Sequence, residues 1–284
     1  MGLCLAALGS AEAQRNTGIG FGEKGDPAPD TAVAERLVQR GRYEEAITQA
    51  KSALARDEHH VPAMVVLAKA YFHLKKYELA SSILEIAKAV DAQNGEIYNL
   101  QGFLALTHDD HLAATAAFKK ATEVNDRYAT AWNNLAAQYL YAKNYDAALP
   151  AAERAASLAA GSAKAQLNLG SALRGKQRFA DAVEAYKKAL QIDPYYADAQ
   201  FDLGILYLDA KEMPGLNFTA KMNVAINYLN RYKQLAGVAL NKDDPADRYI
   251  AEAKTAIERE IKRQERERKQ DQRNQPKPKT GGNN

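Results

Sequence analysis

The stretch GFGEKG, Gly20 to Gly25, carries three glycines spaced G-x-G-x-x-G. In a strand-turn-helix unit that spacing lets the backbone approach a dinucleotide pyrophosphate at a helix N-terminus. The chemistry needs a strand before the glycines and a helix opening at the third. Here Gly25 runs into Asp26-Pro-Ala-Pro-Asp30, whose two prolines lack amide donors and restrict the residues before them. No strand precedes, so no nucleotide cofactor is expected. A second cluster, His108-Asp109-Asp110-His111, has the residue types of a metal site. Its place in the pattern described below makes it a solvated polar turn, and His59 and His60 fall in a comparable loop. The single cysteine, Cys4, sits in the apolar start of the chain. Past it no disulfide, thiolate nucleophile or Cys-ligated metal can form. No Ser/His/Asp set, phosphate loop or paired carboxylate site stands out, so we expect no catalytic residues, no metal and no enzyme.

The elements around these residues begin with Met1 to Leu8, an apolar run, followed by Gly-Ser-Ala-Glu-Ala to residue 13. An A-x-A stretch after an apolar run is the mark of a secretory signal. It predicts a signal over 1–13, a mature start near Gln14 and a flexible Gly-rich leader over 14–26, although the usual basic n-region is missing. The 38 basic and 35 acidic residues leave a net charge of +3 in 284 residues. That balance argues against a dedicated nucleic-acid binder. Nothing after residue 8 approaches 18 continuous apolar residues, so no integral membrane segment is expected in the mature chain.

The dominant signal is a period. Segments 27–60, 61–94, 95–128, 129–162 and 163–196 align without gaps in a 34-residue frame. Small residues recur in three columns. Position 8 holds Ala34, Ala68, Gly102, Ala136 and Gly170. Position 20 holds Ala46, Ala80, Ala114, Ala148 and Ala182, and position 27 holds Ala53, Ala87, Ala121, Ala155 and Ala189. A sixth segment, 197–239, starts in frame with Gly204 at position 8 but reaches its position 20, Ala225, nine residues late. The inserted residues are Lys211 to Thr219. Each segment reads as two amphipathic helices, roughly 61–74 and 77–90 in the second, which approach closely at the small columns. Aromatic residues at position 17, Tyr43, Tyr77, Tyr145 and Phe179, would wedge the turn. Such units bury their faces only by stacking.

This pattern resembles tetratricopeptide repeat (TPR) proteins. The family pattern W-x2-L-G-x2-Y, then A-x3-F, A and P, is met by Trp132, Leu135, Ala136, Tyr139, Ala148 and Ala155. It is met again by Leu169, Gly170, Ala182, Tyr186, Ala189 and Pro194. The resemblance covers 27 to about 239 and implies an all-α fold: a right-handed α-solenoid of six TPR helix pairs with a C-terminal capping helix. The cap is expected over 240–273, with Asp244 as N-cap, Pro245 in the first turn and an apolar stripe of Ile250, Ala253, Ile257 and Ile261. Beyond Glu258 the helix is polar all round, and 274–284 reads as a disordered tail.

Such arrays bind protein segments in a concave groove lined by the first helix of each pair. Carried onto this chain, the groove comprises Lys69, Phe72, Asn99, Phe103, Asn133, Asn134, Tyr141, Lys164, Asn168 and Arg174. Asparagine amides both donate and accept, so Asn134 and Asn168 would hold an extended peptide backbone. Their amides are expected to face solvent, with Arg174 adding a charge-assisted contact. Met213, Leu216 and Phe218 in the insertion either pack back or meet a partner. The carboxylate clamp by which some family members hold acidic chaperone tails is not matched in any three consecutive repeats. The resemblance thus implies a non-enzymatic scaffold with other proteins as partners. A signal before six repeats is similar to pilotin lipoproteins of type IV pili. The insertion and charged terminal helix resemble more closely the TPR proteins of a bacterial gliding-motility machine. Either places the protein in the periplasm or at the outer membrane; the alternative is a cytosolic adaptor.

Overall fold

The computed structural model describes residues 25–237 and 244–274. The signal, most of the leader and the tail expected above lie outside these residues. The described residues are helical with short connections and fall into two compact units dividing between Ala92 and Gln93. The first holds α1 (Ala28–Gln39), α2 (Tyr43–Arg56), α3 (Val61–His73) and α4 (Tyr77–Val90). The second holds α5 (Gly95–Thr107), α6 (His111–Val124), α7 (Ala129–Tyr141), α8 (Tyr145–Leu158), α9 (Ala163–Gly175), α10 (Phe179–Ile192), α11 (Ala197–Asp209), α12 (Phe218–Ala236) and α13 (Ala246–Asn274). Odd-numbered helices to α11 open the pairs and even-numbered ones close them.

The small columns mark where backbones meet. Every alanine at positions 20 and 27 is fully buried, as is Ala225 after the insertion. Position 8 faces position 24 of the same pair. A Cβ built on Gly102 would lie 2.5 Å from the Phe118 ring, on Gly170 2.6 Å from the Tyr186 ring, and on Gly204 2.6 Å from Leu229. These glycines are the space into which large partners fit. Where position 8 is alanine, position 24 is Ala50, Leu84 or Ala152 instead.

Both connections recur by residue chemistry. Each of the first five pairs turns through one residue at position 15 with left-handed backbone: Gly41, Lys75, Asp109, Lys143 and Gln177, with φ of 74°, 60°, 57°, 54° and 59°. In each, the amide of position 16 reaches the carbonyl of position 11, as in Arg178 N to Leu173 O at 2.9 Å. The amide of position 15 reaches position 12, as in Gln177 N to Arg174 O at 2.9 Å. This is a Schellman cap, which satisfies the last carbonyls of one helix and aims the chain into the next. Between pairs, Asp57, Asn125 and Asp193 at position 31 each accept the amide two residues on, at 2.9, 3.1 and 3.0 Å, an Asx turn.

Position 17 does more than wedge its own turn. Its ring lies over position 13 of the following pair: Tyr43 stacks on His73 at 4.7 Å, and a Cβ on Gly175 would meet the Tyr145 ring at 2.1 Å. In the third pair His111 takes the aromatic place and stacks on Tyr141 at 3.8 Å. Its Nδ1 faces Gln138 Oε1 at 2.9 Å and its Nε2 faces Asp109 Oδ1 at 3.1 Å. The expectation of a freely solvated histidine is therefore corrected: His111 is half-buried because the ring column needs a planar group there.

The insertion packs back. Met213 is buried and Leu216 half-buried against the core that includes Leu206, Tyr207 and Ala225, and the two form an isolated antiparallel bridge. Lys221 Nζ, also buried, donates to the Ala210 carbonyl left open where α11 ends. Phe218 remains exposed at the start of α12.

Helix α13 closes the last pair. Ala246, Ile250 and Ala253 are buried against Met222, Ile226 and Leu229, with Tyr249 and Ile257 partly engaged. Asp244 caps it by accepting the Ala246 amide at 2.9 Å. The position-27 residue of the last pair is Tyr232 rather than alanine, and its hydroxyl donates to Asp244 Oδ2 at 2.6 Å. That bond to a carboxylate pushes the phenol pKa up to about 12. The expected four-residue stripe is shorter than predicted, since Ile261 is 44% exposed. The last pair ends before reaching it.

Two outcomes follow for stability. Gly41→Ala places a Cβ in left-handed backbone and lowers stability by about 1 kcal/mol, whereas Lys143→Gly relieves that strain and raises it by up to ~1 kcal/mol; urea midpoints followed by circular dichroism measure both. Cutting the chain after residue 258 leaves the melting temperature nearly unchanged, while cutting before Asp244 uncovers the α12 face and costs roughly 2–4 kcal/mol. Equal melting temperatures for the two truncations would show that α13 is no cap.

Candidate functional site

Within the second unit, α5, α7, α9 and α11 present one face each to a common side, and a polar ladder crosses them. Asn134 Nδ2 donates to Asn99 Oδ1 at 2.9 Å. One pair on, Asn168 Nδ2 donates to Asn133 Oδ1 at 2.8 Å and to the Asn133 carbonyl at 3.3 Å. The rungs run from position 5 of one pair to position 6 of the next. All four side chains are buried, at 6–9% exposure. The expectation that Asn134 and Asn168 face solvent is thus corrected. Neighbouring helices approach closely enough for a buried amide to bridge them, and an amide without a partner there would carry its desolvation cost.

The ladder ends in a charged network. Ser171 Oγ donates to Asp202 Oδ2 at 3.0 Å and receives the Tyr186 hydroxyl at 3.1 Å. Arg174 Nη1 donates to Asp209 Oδ2 at 3.1 Å, and its Nη2 lies 3.9 Å from Asp202 Oδ1. Burial pushes the Asp202 carboxyl above the ordinary carboxylate range, with Arg174 and the Ser171 hydroxyl pulling the other way. Burial likewise raises the Tyr186 phenol. Arg174 is therefore engaged by two carboxylates rather than open to a ligand anion, and the charge-assisted contact expected of it is corrected on that ground. Asp202 and Asp209 were missed in the sequence; their signal was an acid at positions 6 and 13 of the sixth segment, where the five earlier segments carry none.

Beside this network lies a cavity of about 630 Å³. Tyr145 and Phe179, successive position-17 rings, line it together with Leu140. Arg174, Gly175 and Asp209 also line it, as do Lys211 and Glu212 of the insertion. It lies where position 13 is Gly175 in the fifth pair, covered by the Tyr145 ring, and the helix-ending Asp209 in the sixth.

The other expected groove residues are dispersed. Lys69, in the first unit, pairs with Glu35 at 3.4 Å. Phe72 packs edge-on to His73 and tilted to Tyr77. Phe103 meets Phe118 edge-to-face at 5.4 Å and belongs to the core. Lys164 is exposed, and Tyr141 is 65% exposed on its His111 stack. Among the described residues, no group of three His, Cys, Asp or Glu side chains is placed to hold a metal ion.

Helix pairs of 34 residues, Schellman-capped at position 15 and interlocked at positions 8 and 24, define a helical-repeat protein whose opening helices offer one face to other molecules. The chain carries tetratricopeptide repeats: a family model described as tetratricopeptide repeat matches residues 37–102, and one described as TPR repeat matches 170–210. Small glutamine-rich tetratricopeptide repeat-containing protein 2 of Mycosarcoma maydis is 33% identical over 104 residues, 37% of this chain and 30% of that protein. This chain thus matches less than a third of the length of that curated relative. Among solved structures, the APC/C hetero-tetramer Cut9-Hcn1 contains a chain similar with a TM-score of 0.64 at 16% identity, over 80% of this chain and 42% of that one. PilW, a type IV pilus biogenesis factor, is similar with a TM-score of 0.59 at 19% identity, over 76% and 95%. At these identities the likeness is one of fold. Proteins of this fold are generally interaction scaffolds.

Asn134→Ala strands Asn99 and Asn168→Ala strands Asn133, so each lowers stability by about 1–3 kcal/mol. Thermal melts of the two variants measure the effect; unchanged melting temperatures would show that the ladder holds nothing together.

Proposed function

We propose that this protein is a non-enzymatic scaffold that binds extended segments of other proteins along the ladder face of α5, α7, α9 and α11. The observation that carries this reading is the cavity beside the ladder, where aromatic rings, charged side chains and open volume coincide. With the four asparagines occupied by one another, the residues left to meet a partner are exposed ones such as Tyr141 and Lys164, together with the cavity. Tyr141 offers an aromatic surface already held in place by His111, so little side-chain entropy is lost on binding.

The apolar run and A-E-A stretch at the chain start support export, and with it a role in an envelope machine. Gliding motility is our first reading, on the insertion and the charged terminal helix. Assembly of a type IV pilus or secretion apparatus is the second, favoured by the shared fold with PilW. No helix among the described residues is long and apolar enough to cross a membrane.

A photo-crosslinking residue at Tyr141 captures a partner in intact cells, whereas the same residue at the exposed Lys188 of α10 does not. Capture only at Lys188 would move the site off the ladder face. N-terminal sequencing of the native protein finds Gln14 in the envelope fraction; an intact Met1 in the cytosol would overturn export and leave the adaptor.

A further inference from the structure

We propose that the outer part of α13 is a docking surface for an anionic membrane, through a stripe of basic residues on one side of the helix. Arg259, Arg266 and Arg273 stand seven residues apart, as do Lys262 and Lys269, with Arg263 beside them. At 3.6 residues per turn these six share a sector of about 120°, and its seventh residue is Gln270. The acids of the same stretch, Glu260, Glu265, Glu267 and Asp271, fall outside it, about 100–140° from its centre. At a rise of 1.5 Å per residue the stripe is about 21 Å long. All six cations are exposed. Arg263, at the edge, is held by Glu260 and Glu267 at 2.7 Å each. The other five enter no ion pair among the described residues. The stripe adds nothing to the fold: Ile257 is the last residue of α13 packed on the array, and every residue from Ile261 to Asn274 is exposed. Like charges three and four residues apart repel along a helix, so such a row has a cost until an anionic partner meets it.

The distribution of charge selects a planar partner. A helix seated in a duplex major groove has phosphates on both flanks, and here both flanks are acidic, with Glu265 on one and Glu260 and Glu267 on the other. A surface that touches one side of the helix meets the cations and leaves the acids turned away. A helix with its side chains is about 10–12 Å across, more than the Debye length of about 8 Å at physiological salt, so those acids weaken the attraction only in part. The stripe holds no apolar residue, and Ile261, the one apolar side chain past Ile257, lies on the opposite side. An acidic helix would therefore gain only exposed ion pairs, each worth little because two long side chains must be held in one geometry. A bilayer instead offers mobile anionic headgroups that gather under the cations, and each Lys or Arg near such a surface adds to binding. Four of the six cations are arginines, whose guanidinium takes phosphate oxygens two at a time. Without an apolar face the helix lies on the surface and does not insert. None of these residues belongs to the ladder face, so membrane binding here does not depend on what that face binds.

Sedimentation of the full chain with vesicles tests this. Vesicles of phosphatidylcholine and phosphatidylglycerol in equal parts are expected to carry the protein down at physiological salt and to release it at about 1 M salt, where screening is nearly complete. Vesicles of phosphatidylcholine alone leave it in solution. The variant Lys262→Gln, Arg266→Gln, Lys269→Gln, Arg273→Gln binds the anionic vesicles about 100-fold more weakly. So does a chain cut after residue 258, which keeps every packed residue of α13. A control with the same loss of charge at exposed lysines elsewhere, Lys51→Gln, Lys119→Gln, Lys188→Gln, Lys254→Gln, keeps its affinity, and circular dichroism confirms the fold of each variant. No binding to the anionic vesicles, or equal losses in stripe and control variants, would overturn the membrane surface. Stripe-dependent binding to a random-sequence DNA duplex or to polyglutamate, without binding to the anionic vesicles, would overturn it too and make the partner a nucleic acid or an acidic protein.

Discussion

The rest of this structure depends on how closely the two helices of each pair approach. Tyr186 and Phe118 are fully buried because their rings occupy the volume that a side chain on Gly170 or Gly102 would fill. Interior packing is dense enough that one methyl group at such a contact must displace something. Once that distance is set, position 20 has room only for alanine, and the following pair can dock against the alanines of position 27. The frame survives the nine-residue insertion for the same reason: Gly204 still meets position 24, now Leu229. The chain loops out through Met213 and Leu216 and is pulled back into register by burial of those two side chains.

The candidate site arises where the columns are broken. Ring columns at position 17 lie over position 13, which is histidine or tyrosine where the rings stack most closely. The cavity lies where position 13 is Gly175, covered by the Tyr145 ring, and then Asp209 at the end of α11. The break that makes a cavity also brings the charges to it, since Asp209 is the residue that replaces bulk at position 13. A repeat protein has few ways to create a distinct site from near-identical units, and local departure from its own pattern is the direct one.

The polar ladder has a different role from the cavity. Asn99, Asn133, Asn134 and Asn168 form cross-helix bonds in the least hydrated part of the ladder face. A buried amide tolerates only an arrangement that satisfies it, so these bonds fix how one opening helix slides against the next. The face presented to a partner is thereby held rigid, and a ligand that binds it need not order the helices first.

Much of the fold was legible in the sequence. Helix pairing, the 34-residue frame, the insertion and the capping role of Asp244 and Ile250 all follow from side-chain volume and local hydrogen bonding, which act between residues at fixed spacing. The left-handed turns were hidden, because lysine, aspartate and glutamine occupy four of the five positions that glycine would announce. Their conformation is imposed by the Schellman bonds and by the docking of the next helix. The ladder residues were visible as types but misread in exposure. Whether an asparagine at position 6 meets water or the preceding helix depends on the spacing between pairs. Likewise Arg174 looked like a free cation until α11 brought Asp202 and Asp209 to it from 28 and 35 residues away. Charge pairing between stacked repeats is a property of their packing distance, and only the tertiary structure sets that distance.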